Sequence, residues 1–129
     1  MYEKYLGIPF NAGGDLEKGI NCWELVKLYY RKELSIQLPD MLLNSNNIKG
    51  LVKEFKNSSE YANWREIPFP EKHDVVLLTH TNTPHHIGIY IGEGCILHSV
   101  EGAGVILSDK DNLQDLGFRI LSYWRNNNA

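Results

Sequence analysis

Apolar positions along this chain change period about halfway. Near the start, Trp23, Leu25, Val26, Leu28, Tyr29 and Tyr30 recur at helical spacing and predict an amphipathic helix running to about Leu34. Asn21 is a good capping residue and Glu24 follows it three positions on, so Cys22 falls in the first turn. A turn over Ile36–Pro39 leads to a second, weaker helix from about Asn46 to Phe55, with Ile48, Leu51, Val52 and Phe55 on one face. Asn57 to Glu60 is a polar break, and Trp64 to Pro70 reads as an extended linker. Beyond it the apolar runs are short, as in strands: Asp74–Thr79, Ile87–Ile91, Cys95–Val100, Gly104–Leu107 and Phe118–Trp124. Asn126 to Ala129 reads as a frayed tail. Helices first and an antiparallel sheet second is the α+β pattern, with helices gathered on one side of the sheet.

Length adds that 129 residues suit a single domain, 1–129, large enough to bury one real core. A formal charge of −3 argues against nucleic acid as partner, because phosphate recognition needs clustered Lys and Arg. Nor is a membrane partner expected: no run approaches the ~20 apolar residues of a span. The stretch from Met1 to Phe10 mixes charge, Gly and Pro and has no apolar stretch of signal-peptide length. Two cysteines, Cys22 and Cys95, stand in settings too different to favour a disulfide, and both are read as thiols.

Cys22 carries the most chemical information. A helix N-terminus lowers a thiol pKa, and its unpartnered N–H groups can hold an oxyanion. On position alone, an inert buried Cys stays equally open. His86 and His98 tip that balance. If Ile87–Ile91 and Cys95–Val100 form a hairpin folded about Gly92, the two histidines face each other on one side of the sheet. A base whose second ring nitrogen is held by another group is the orienting arrangement of cysteine hydrolases. Under that register Cys95 has the opposite parity and is expected in the core. If the segment is a strand, His85 points to the face opposite His86 and is expected at the surface or edge, and His73 and His80 are expected to be exposed. Cys22, His86 and His98 would also suit zinc, but no C-x-x-C or H-x-x-x-H pair supports a metal, and neither metal nor cofactor is expected.

These residues resemble the NlpC/P60 family of papain-like cysteine peptidases. LGIPFNAGGDLEKGINCWELVKLYY is similar to that family's Cys segment and HIGIYIGEGCILHS to its His segment, including the spacing to the third polar residue. The helix and exit NCWELVKLYYRKELSIQLPD, and the ending SYWR, resemble the phage-type branch associated with tail tips. The resemblance implies a papain-like fold with N-terminal helices on a small antiparallel sheet. It implies Cys22 as nucleophile, His86 as general base and His98 as the orienting third member. It implies peptidoglycan stem peptides as substrate, other phage tail or delivery proteins as partners, and a place in the virion, or in the cytoplasm before assembly.

The chain departs from the family's pattern at several positions. Phe10 stands where many members have a Tyr that helps the oxyanion site, Asn21 where an Asp commonly precedes the nucleophile, Trp23 where a small residue is usual, and His73 where a Gly is usual. Phe10, Asn21 and Trp23 are therefore the residues expected to shape the substrate and oxyanion side. Other readings are a structural tail-tip protein with little activity, a CHAP-type amidase with the same Cys-before-His order, and an acyltransferase of related fold, whose His-before-Cys order does not match.

Overall fold

The computed structural model describes residues 2–11, 19–39, 63–80 and 86–129. Helix α1 spans Cys22–Leu34. The Asn21 side chain accepts from the Glu24 backbone N–H at 2.8 Å and starts it. Ser35, left-handed at φ 56°, ends it, returning its own N–H to Tyr30. The second helix expected over 46–55 lies outside the described residues, as does His85.

Six strands follow among the described residues: β1 Trp64–Ile67, β2 Val75–His80, β3 His86–Gly92, β4 Cys95–Val100, β5 Gly104–Ser108 and β6 Phe118–Asn126. They form one antiparallel sheet in the order β1-β6-β2-β3-β4-β5. Val75 and Leu77 of β2 join Trp23, Val26, Tyr29 and Tyr30 of α1 in the main core. Val76 and Leu78, on the other face, pack with Ile96 and Leu113. Both faces of β2 are covered, which is why its sequence is continuously apolar rather than alternating.

Three expectations are corrected here. The stretch read as a linker contains β1, paired with β6 from Trp64↔Asn126 to Ile67↔Tyr123. The tail is tied down: Asn126 is buried, and the Asn127 N–H donates to Asn63 O at 2.7 Å. A short helix, α2 (Lys110–Asp115), was not anticipated. It opens with a reciprocal capping box between Asp109 and Asn112 and puts Leu113 on the face of the sheet opposite α1.

The entry to β2 explains one departure from the family's pattern. His73 has φ 83°, a left-handed conformation that glycine adopts without strain and histidine does not. Its surroundings compensate. The His73 Nδ1 lies 2.8 Å from the Tyr29 hydroxyl, and the Tyr30 hydroxyl donates to the His73 carbonyl. Next to it, buried Asp74 accepts from Arg125 Nε at 3.0 Å and Nη2 at 2.8 Å and from the Glu71 N–H at 2.6 Å. His73 is therefore a half-buried, bonded residue rather than an exposed one. His80 departs from expectation in the same way, with Nε2 2.8 Å from Leu116 O and its ring against Phe118.

Candidate active site

The loop before α1 is pinned to the sheet. Phe10 and Ile20 form a parallel bridge, and the Ile20 carbonyl accepts from Ser99 Oγ of β4 at 2.8 Å. Gly19 permits this close approach: it has φ 132°, and a Cβ there would stand 2.2 Å from the Pro9 oxygen. The first turn of α1 is thereby held against the beginning of β3 and the end of β4.

Cys22 is half-buried at that turn. Burial is the largest influence on its thiol and pushes the pKa up to about 11. Hydrogen bonds from the backbone N–H groups of Ile87, Trp23 and Cys22 itself act in the opposite direction. The Ile87 contact puts the sulfur beside the residue that follows His86. At neutral pH the sulfur is accordingly a thiol. Alkylation of Cys22 by iodoacetamide, followed by peptide mass in a Cys95→Ser background, is expected to climb through the alkaline range toward pH about 11. A rate that stays flat down to mildly acid pH would instead reveal a resting thiolate–imidazolium pair.

His86 and His98 are both buried and come together. His86 Nε2 lies 2.8 Å from His98 Nδ1, with the rings edge to face at 5.1 Å. The hairpin register differs from the expected one. Ile89 faces Leu97 and Tyr90 faces Ile96, a slip of two positions, and an irregularity between Tyr90 and Gly92 re-seats the turn so that Gly92 faces Cys95. The histidines are thus diagonal rather than opposite, but an even slip leaves them on one face. Gly88 makes the room: a Cβ there would meet Ile96 Cγ2 at 2.7 Å, Leu97 O at 3.0 Å and His98 Cβ at 3.2 Å. Gly88→Ala is expected to cost about 1–3 kcal/mol in urea unfolding, because the backbone oxygen cannot step aside.

His98 continues the chain of contacts, its Nε2 standing 2.8 Å from Ser108 Oγ. Burial lowers its pKa to about 4, so the ring is neutral under ordinary conditions. With both nitrogens engaged, His98 has none left for a metal. Phe118 closes the pair, stacked on His86 at 4.7 Å and edge-on to His98 at 5.3 Å. Neither Ser108 nor Phe118 was singled out from sequence. Strand parity carried along β5 would have exposed Ser108; nothing local marks Phe118.

The remaining candidates separate. Phe10 and His86 both line a cleft of about 350 Å³, with His80, Glu101 and Phe118. Asn21 is the helix cap. The Trp23 side chain does not reach the cleft; it is buried in the main core and donates from Nε1 to Pro39 O at 2.9 Å. Only its backbone N–H points to the Cys22 sulfur. Cys95 is half-buried rather than core, its sulfur 3.7 Å from Glu93 O, because the irregular turn interrupts the alternation that parity assumed.

The profile of the NlpC/P60 family matches residues 7–115. The chain is 29% identical over 108 residues to the "Murein DD-endopeptidase MepS/Murein LD-carboxypeptidase" of Escherichia coli K12, covering 84% of this chain and 50% of that protein. It is 25% identical over 111 residues to the "Probable endopeptidase NlpC homolog" of Haemophilus influenzae, covering 86% and 52%. It therefore spans about half the length of the curated relatives it matches. Among solved structures, NlpC1 from Trichomonas vaginalis superposes with a TM-score of 0.62 at 14% identity, covering 96% of this chain and 42% of that one. The NlpC/p60 domain of the peptidoglycan hydrolase SagA gives 0.57 at 15%, covering 92% and 88%. At such identities these structures show the shared fold.

Proposed function

Because the chain belongs to the NlpC/P60 family, we propose that it is a cysteine peptidase hydrolysing peptide bonds in the stem of bacterial peptidoglycan. The observation that carries this reading is the linked pair His86–His98, 2.8 Å apart, beside a helix-start thiol that the Ile87 amide contacts. The murein-directed names of the relatives support the substrate class.

In the mechanism we propose, His86 spends Nε2 on His98 and takes the Cys22 proton at Nδ1. The thiolate adds to the scissile carbonyl, and the oxyanion is held by the Cys22 backbone N–H and a group from the loop that begins at Phe10. His86 then gives its proton to the leaving amine, and water hydrolyses the acyl-enzyme through the same base. Phe10 has no hydroxyl to donate, so this oxyanion site relies on backbone N–H groups. The setting we propose is a phage tail, with other tail or delivery proteins as partners and the virion as final location. The resemblance of the α1 segment and of SYWR to tail-tip proteins supports it.

Digestion of defined muropeptides, with the products weighed by mass spectrometry, tests the reaction. Stem peptides cut between amino acids are the expected products. Release of whole stems from the sugar would overturn the endopeptidase reading in favour of an amidase. Absence of any cleavage would leave a structural tail component.

A further inference from the structure

Three polar side chains run diagonally across β3, β4 and β5. In the β4–β5 ladder His98 faces Ile106 and Ile96 faces Ser108, so Ser108 lies one diagonal step from His98 on the same face of the sheet. Its hydroxyl is 2.8 Å from His98 Nε2, and Ser108 is only 1% exposed. On the other side, His98 Nδ1 is 2.8 Å from His86 Nε2.

A neutral imidazole carries one N–H, so the direction of these two bonds is a choice between two states. In one, His98 keeps its proton on Nδ1 and donates it to His86 Nε2, while its Nε2 accepts from the Ser108 hydroxyl. His86 then bears its own proton on Nδ1 and cannot accept from a thiol. In the other, His98 keeps its proton on Nε2 and donates it to an oxygen. Its Nδ1 lone pair then receives the His86 Nε2–H, and His86 Nδ1 is basic. The second state also serves the imidazolium form of His86, whose Nε2–H needs an acceptor. The first would set two N–H groups against each other.

We propose that Ser108 is a positioning residue: its Oγ accepts the His98 Nε2–H and so supports His98 in the tautomer that accepts from His86. The proposal rests on the reading of Cys22 and His86 as nucleophile and base. Burial that keeps His98 neutral supports it, since a charged His98 would donate in both directions. The arrangement has a specific requirement. Asn or Gln as third member presents a carbonyl oxygen of fixed identity, whereas a histidine can accept at one nitrogen only when the N–H on the other has an acceptor.

The test is long-range 1H–15N correlation on histidine-labelled protein at neutral pH, read with steady-state kinetics. In the wild-type protein, His98 Nε2 is expected at a pyrrole-type shift and Nδ1 at a pyridine-type shift. In Ser108→Ala the two shifts are expected to move toward one another as the tautomers mix. Its kcat is expected to fall about tenfold with KM unchanged, as for a residue that acts through the base. A pyridine-type Nε2 in the wild-type spectrum overturns the proposal whether or not the variant folds. So do unchanged shifts and kcat in a folded Ser108→Ala. The tautomer is measured without substrate, so failure of wild-type protein to cleave muropeptides would sink the peptidase reading and leave the spectrum to decide on Ser108.

Discussion

Replacing Cys22 with Ala is expected to lower muropeptide hydrolysis by roughly 10⁴-fold or more, because in the covalent mechanism we propose the nucleophile has no substitute in the site. The fold should survive. Cys22 is half-buried, Ala suits a helix, and the Asn21 cap acts through Glu24 rather than through the thiol. The unfolding midpoint in urea should move by less than about 1 kcal/mol equivalent. Cys22→Ser separates nucleophile from volume: it restores a group of similar size, yet an alkoxide is far harder to reach than a thiolate, so it too should be nearly inactive. Substantial hydrolysis by purified, folded Cys22→Ala would show that the chemistry lies elsewhere.

What could be read in the sequence depended on how local the determinant was. α1 and the place of Cys22 were legible because the cap, the glycine-bearing loop and the apolar stripe all lie within neighbouring residues. The sheet histidines were legible for a subtler reason. The expected register was off by two, but strand faces alternate with period two, so an even error preserves the face while an odd one inverts it. His86 and His98 met in spite of the wrong pairing. Cys95 sat where the turn irregularity breaks that alternation, and the same rule failed there.

The less local features were missed. β1 is an edge strand with exposed Arg65 and Glu66, and only its pairing with β6, at the far end of the chain, makes it a strand. α2 buries a single leucine, too little for periodicity to register, although its Asp109–Asn112 box was present to be read. By sequence, Trp23 belongs to the substrate side because it follows Cys22. On a helix, adjacent side chains diverge by about 100°, so Trp23 need not share the direction of Cys22, and it turns into the main core. His73 was marked as a departure from the family's glycine without a sign that Tyr29 and Tyr30 would stabilise its backbone.

The second large effect concerns acid. His98 is neutral in the folded protein, its pKa lowered to about 4 by burial, whereas in the unfolded chain it titrates near 6.5. The sign follows from proton counts. Between these values the unfolded chain binds a proton that the folded one refuses, so stability is fully present above pH about 6.5 and is lost as pH falls toward about 4. The full difference is on the order of 3 kcal/mol, a large share of a typical domain's stability. Carboxylates also titrate toward the lower end of that window, so the measurement is a difference: urea unfolding at pH 7 and pH 4 for wild type and for His98→Gln. The wild type is expected to lose about 3 kcal/mol more than the variant over that range. Equal losses would show that protonating His98 does not oppose folding. The same protonation would remove the Nδ1 lone pair that faces His86 Nε2 at 2.8 Å. In the folded protein that protonation comes only near pH about 4, so at mildly acidic pH His98 still accepts from His86, and the loss of stability precedes the loss of the base's partner.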